Sequence, residues 1–265
     1  MWVVRQDLRN CLATRGDERV FSPFLGGARC VYRSACHALE SRSRLSGVHE
    51  ILVDVRAFGG RPFLFAGVVR DTLYSSLTGV PAIPRDYDVG VAQMSSECFV
   101  AFASSRGAAR NRYGGYQFNA RDGLNVDLWR IEDTVGVLAA SCKPTVTNVL
   151  RSFVIDLNAI AYDPADSVIH DEGCLPALVK REIGVVRGAI MHDHANFAGR
   201  ALALKSRFDF RLSKELQDLV AHWSGSAEAE RQIAKASAFG YSPEFRSGSA
   251  TTALVGICPE CAQSI

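Results

Sequence analysis

The chain has 265 residues, of which 48% are hydrophobic and 22% charged, and its formal net charge is +2 from 30 Lys plus Arg against 28 Asp plus Glu. This composition excludes a disordered chain and a disulfide-stapled mini-protein, and it suits one large or two small globular units. The near-neutral balance excludes a bulk polycation that coats nucleic acid, while leaving room for a local basic groove built mostly of Arg.

The first residues, MWVVRQDLRN, break their apolar run at Arg5 and Asp7, so no signal peptide is read there. The stretch Phe63 to Val69 is far shorter than the roughly 18 residues that cross a bilayer. A soluble, cytoplasmic protein is expected, with no membrane partner and with its cysteines as free thiols. Residues 1–46 show little periodicity and are read as an irregular N-terminal segment of short helices and loops. In residues 47–58, Val48, Ile51, Leu52 and Val55 recur at helical spacing. Gly59-Gly60-Arg61-Pro62 is a turn, Phe63–Ala66 a short buried strand, and Val68–Leu77 a helix closed by Thr78-Gly79-Val80-Pro81.

Residues 86–91, DYDVGV, alternate strictly and read as a strand. A helix over 94–106 follows. Then Tyr116–Asn119 and Leu124–Ile131 form a hairpin around Arg121-Asp122-Gly123. Residues 157–163 and Val168-Ile169 are strands, and a short helix near Leu175–Val179 precedes Ile183–Val186. Beyond residue 190 the pattern turns helical. Phe197, Ala201, Leu204 and Phe208 mark one amphipathic helix, Ser213–Trp223 a second and Ala227–Ala238 a third. The expected organisation is α+β: a mixed-sheet head over 47–187, a helical neck over 188–240 and a Ser/Gly/Thr-rich tail over 241–265. Cys258-Pro-Glu-Cys261 in that tail is a candidate structural zinc site without a well-spaced second pair.

Candidate chemistry centres on carboxylates. Asp86 and Asp88 are two apart on a strand, so both side chains share a face. They repel unless a cation lies between them, and oxygen ligands favour Mg²⁺ or Mn²⁺. Asp127, in Asn125-Val126-Asp127-Leu128-Trp129, supplies a third carboxylate on a later alternating strand. Such a set suits phosphoryl transfer. Upstream, Gly67 opens a helix whose N-terminus suits a phosphate, and Arg70 can pair with phosphate or brace Asp71 or Asp86. His192-Asp193-His194 reads better as a helix cap than as a metal site. Trp129 and Trp223 read as core, and Arg106, Arg110 and Arg112 read equally as a solvated loop or an RNA backbone contact.

Together these residues resemble the head domain of class II CCA-adding enzymes and bacterial poly(A) polymerases, in the polymerase-β-like nucleotidyltransferase superfamily. That pattern is Gly-Gly-x-Val-Arg-Asp, then Asp-x-Asp, then a third carboxylate. Here it reads Ala66-Gly67-Val68-Val69-Arg70-Asp71, Asp86/Asp88 and Asp127. Leu157-Asn158-Ala159-Ile160-Ala161-Tyr162 looks like the family's Ile-Asn-Ala-Leu-Ala-Tyr, and Ile169–Gly173 like the turn after it. Arg200–Phe208 looks like the Arg-rich neck helix. The departures are Ala66 at the first glycine; Ser152, Phe153 and Val154 at an Arg-Arg-Asp; and Asn196 and Phe197 at the acidic pair of the base-selecting Glu-Asp-x-x-Arg, a motif of which only Arg200 remains.

The resemblance implies a metal-dependent nucleotidyltransferase that moves a nucleoside monophosphate from an NTP such as ATP to an acceptor hydroxyl, preferably a tRNA-like RNA 3′ end, releasing pyrophosphate. Asp86, Asp88 and Asp127 would be catalytic and metal-binding. Gly67, Arg70, Asp71, Asn158, Arg200 and Lys205 would bind nucleotide. The family's long helical tRNA-holding body has no counterpart in these 265 residues, so a compact relative is expected. The alternatives are a toxin- or defence-type enzyme acting on a protein or small molecule, and a degenerate module that only binds nucleotide or RNA.

Overall fold

The computed structural model describes residues 22–45, 47–111, 113–190 and 194–223. The candidate zinc pair Cys258/Cys261, the helix expected over Ala227–Ala238, the tail, Arg112, His192 and Asp193 lie outside the described residues, as does the Trp223 side chain. No helix among the described residues is long and apolar enough to cross a membrane.

The fold is α+β. Helix α1 (Ser22–Leu45) and α2 (Val48–Ala57) lead into β1 (Arg61–Phe65) and α3 (Gly67–Thr78). Then come β2 (Asp86–Ala92), α4 (Ser96–Ser105), β3 (Ala109–Arg110), β4 (Tyr116–Asn119) and β5 (Asn125–Arg130). Short helices α5 (Val135–Ala139) and α6 (Val146–Ser152) precede β6 (Ile160–Asp163), β7 (Val168–Asp171) and α7 (Cys174–Lys180). The chain continues through β8 (Glu182–Ile183), α8 (His194–Phe208), β9 (Arg211–Leu212) and α9 (Lys214–Trp223).

The main sheet has seven strands in the order β3-β4-β5-β2-β1-β6-β7. Only β2 and β5 run parallel within it, because α4 and the β3–β4 excursion carry the chain back across the sheet before β5 begins. Strand alternation sorts the faces. Leu64, Tyr87, Val89, Val91, Val126, Leu128, Ile160 and Tyr162 lie on one face and form the larger core with α1 to α4 and α7 to α9. The other face is divided. Phe63, Phe65 and Ala161 pack under α5 and α6 through Val137, Val149 and Leu150. The remainder of that face carries Asp86, Asp88 and Asp127.

Residues 22–45 correct one expectation: they form a single 24-residue helix, not short helices and loops. Tyr32, Ala35, Cys36 and Leu39 supply its core-facing stripe at helical spacing. Burial of that stripe outweighs the roughly 1 kcal/mol that each glycine of Gly26-Gly27 costs a helix. The short elements α5, α6, β3 and β9 carry too few periodic residues to be read from the sequence.

Candidate active site

Strands β2 and β5 bring the three carboxylates together. Their parallel register sets Asp88 opposite Asp127 and Asp86 opposite Asn125, so all three acids share the divided face. Tyr87 and Val126, on the opposite face, are buried and fix which way the acids point. Tyr87 is also tied by its hydroxyl to Asp122 Oδ2 at 2.9 Å, which locks β2 to the turn ahead of β5. Burial, then the Asp86 and Asp127 charges, hold the Asp88 carboxyl well above the usual carboxylate range, with Arg200 and Arg70 partly offsetting them. Burial and mutual repulsion of the acids together outweigh the positive charge that Arg200 and Arg70 supply.

Helix α3 starts beside this pair. A Cβ added at Gly67 would lie 3.7 Å from Asp86 Oδ1 and 3.9 Å from Arg70 Nη2, so the helix N-terminus opens directly onto the carboxylates. The residue before it, Ala66, has φ 46° and ψ −108°, a conformation that glycine takes freely and an L side chain does not. The turn that aims the helix at the acids therefore holds local strain.

The arginine and the aspartate at that helix are bound internally. Arg70 donates from Nε to Asp71 Oδ1 at 2.9 Å and from Nη1 to Asn158 Oδ1 at 2.5 Å. Arg207 of α8 donates to Asp71 Oδ2 at 2.7 Å and to the Ile83 carbonyl at 3.2 Å. Both guanidinium groups lie over the Phe208 ring, at 5.2 and 5.0 Å from its centroid. Asp71 is fully buried between its two arginines. Of the expected nucleotide contacts, Arg70, Asp71 and Asn158 thus sit in a clasp joining α3, the turn before β6 and α8. Arg200 is exposed, and its charge reaches Asp88. Lys205 is exposed on the same helix but lies about 140° around it from Arg200.

Three features were missed in the sequence. Gln117 Nε2 donates to Asp127 Oδ1, and Asn111 Nδ2 reaches the same oxygen at 3.5 Å. The hairpin supplied the signal for Gln117, since pairing Asn119 with Asn125 sets Gln117 against Asp127. Arg207 was visible only as one more basic residue of the neck helix. Asp156 accepts the Gly184 N–H on both oxygens at 3.0 Å, and burial pushes its carboxyl to about 7; its neighbours in sequence gave no sign of this. Asp171, the last residue of β7, caps α7 by accepting the Gly173, Cys174 and Leu175 amides at 2.7, 2.6 and 2.8 Å, and the Tyr32 hydroxyl at 2.7 Å.

Among the described residues, no three His, Cys, Asp or Glu side chains converge closely enough to hold a metal ion by themselves. The donor chemistry nevertheless fits a hard divalent cation. The acids are oxygen ligands with crowded negative charge, and Mg²⁺ is commonly held by one or two carboxylates plus substrate phosphates and water rather than by an all-protein cage.

No protein-family model matches the chain, and no curated protein sequence matches it. Solved structures do. A tRNA-processing enzyme complex superposes with a TM-score of 0.50 at 19% identity, over 68% of this chain and 50% of that one. The Thermotoga maritima CCA-adding enzyme complexed with tRNA gives 0.49 at 17% identity, over 86% of this chain and 48% of that one. A CCA-adding enzyme complexed with CTP gives 0.49 at 17% identity, over 86% and 49%. The chain spans about half the length of these structures. At these identities the first of them establishes the fold, which this chain shares with a tRNA-processing enzyme.

Proposed function

We propose that the chain is a nucleotidyltransferase that moves a nucleoside monophosphate from an NTP to an acceptor hydroxyl, with an RNA 3′ end as the acceptor. The observation that carries this reading is the placement of Asp86, Asp88 and Asp127 on one face of two adjoining parallel strands, at the open N-terminus of α3. The fold shared with a tRNA-processing enzyme supports it.

In this reading the triphosphate lies across the start of α3, where unpaired backbone N–H groups and the helix dipole favour negative charge. The flank of Gly67 lets phosphate oxygens come close to the backbone. Asp86, Asp88 and Asp127 would hold the divalent cation. That cation, when bound, neutralises the phosphates and the charge that develops during transfer. Arg200 faces the same carboxylates and adds positive charge from the neck. Arg70, Asp71 and Asn158, together with Arg207, tie α3 to the turn before β6 and to α8, the helix that carries Arg200. The acceptor oxygen bonds to the α-phosphorus as the α–β bridge breaks, and pyrophosphate leaves.

The incomplete convergence of the three acids favours a second reading, a module that binds nucleotide without turning it over. Pyrophosphate release separates the two. Wild-type protein with Mg²⁺, each NTP in turn, and total RNA is expected to release pyrophosphate and to incorporate label into RNA. Label in protein or in a small molecule would reassign the acceptor. Nucleotide binding without release by the wild type would select the second reading.

A further inference from the structure

We propose that Gln117 is a positioning residue for Asp127: its amide N–H holds one carboxylate oxygen so that the other is presented toward Asp86 and Asp88 for a divalent cation. The inference rests on the metal-dependent reading above and adds a residue to it.

The geometry is specific. Gln117 lies directly opposite Asp127 in the β4–β5 pair, so the two side chains share the acidic face. Its Nε2 donates to Oδ1 of Asp127, and Asn111 Nδ2 approaches that same Oδ1 at 3.5 Å. Among the described residues Oδ2 of Asp127 takes no hydrogen bond, so both amides are gathered on one oxygen. The loop behind them is built for this approach. Asn111 Oδ1 accepts the Tyr113 and Gly115 amides, each at 3.0 Å, which fixes the side chain that reaches Asp127. A Cβ at Gly115 would lie 2.7 Å from the Leu128 carbonyl and 3.2 Å from Asn111 Nδ2, so only glycine lets the loop lie this close over β5.

A carboxylate has two oxygens, and anchoring one of them sets the direction of the other. An unanchored carboxylate must order itself when it meets a cation. Outer hydrogen bonds of this kind orient metal-binding groups, and losing one typically costs about 10- to 100-fold in metal affinity. Gln117 is itself exposed, on a strand flanked by β3 and β5, so exchanging it leaves the core untouched.

The test is titration with Mn²⁺ alone, reading free Mn²⁺ by electron paramagnetic resonance, with a melting curve for each protein. Gln117→Met keeps the bulk and removes the donor; it is expected to bind Mn²⁺ about 10-fold more weakly than wild type or worse, with an unchanged melting temperature. Gln117→Asn keeps an amide at the directly opposed position and is expected to recover affinity to within about threefold of wild type. Equal or tighter binding by Gln117→Met overturns the proposal, as does a loss that Gln117→Asn fails to recover. Mn²⁺ binding by wild type that disappears in Asp86→Asn plus Asp88→Asn keeps the metal reading standing in either case. Absence of binding by wild type would remove that reading and this inference together.

Discussion

Single residues decide how the site is aimed. Ala66 stands where the resembling pattern has glycine, and the backbone keeps the glycine conformation, with φ at 46°. Such a residue stores roughly 1–3 kcal/mol. Ala66→Gly is therefore expected to raise stability by about 1 kcal/mol, or about 2–4 °C in melting temperature for a domain of this size, despite the greater freedom of glycine when unfolded. A lower melting temperature would show that Ala66 is unstrained. Asp156 gives a pH prediction. Its carboxyl is raised from 3.8 to about 7, mainly by burial, so the folded state holds this proton more tightly than the unfolded chain. Its ionisation costs nothing below about pH 4, costs progressively more as pH rises to about 7, and costs its full amount above that. Asp156→Asn keeps an acceptor for Gly184 without a charge to bury. Denaturant melts are expected to show the variant more stable than wild type at pH 8, by up to about 4 kcal/mol, with the gap closing toward pH 4. A gap that stays constant across this range would contradict the assignment.

Among the elements, α3 and α8 are joined by a clasp rather than by apolar packing alone. Asp71 carries two ion pairs, to Arg70 and Arg207, and the Tyr74 ring meets Phe208 edge-on at 5.0 Å. Removing one partner of a buried ionic group leaves the others uncompensated. Asp71→Ala is expected to cost about 3 kcal/mol or more in chemical denaturation, and a loss below about 1 kcal/mol would reduce the clasp to a surface pair. The sheet has an equally sharp requirement at Gly90, where an added Cβ would lie 2.5 Å from Phe65 Cε2. Since Phe65 pairs with Asp88, any shift of that ring disturbs the strand that carries the acids. Gly90→Ala is expected to destabilise by about 1–3 kcal/mol through overpacking. A melting temperature equal to that of wild type would mean that the ring has room to move.

Across the whole molecule, the fold was legible where patterns were long and periodic. The alternation in 86–91 and the hairpin around Asp122 gave two sheet-forming pieces in their true places, and the 197–208 stripe gave the neck helix. Helix α1 was hidden because Gly26-Gly27 and scattered arginines dilute a stripe that makes sense only once the sheet it covers exists. The three acids were legible because alternation alone puts Asp86 and Asp88 on one face. That Asp127 joins them depends on the parallel β2–β5 register, which no local pattern encodes. The bracing of Arg70 and Asp71 by Arg207 was illegible for the same reason: 136 positions separate Asp71 from Arg207, and only tertiary packing brings them together.

The central claim is that Asp86 and Asp88 make this acidic face a transferase site. The most direct measurement is pyrophosphate release with Mg²⁺, NTP and RNA, comparing wild type with Asp86→Asn plus Asp88→Asn. The account predicts release by the wild type that falls to background in the double variant while its fold, followed by circular dichroism, is retained. Equal release from the two proteins, or none from either under any NTP, would contradict it.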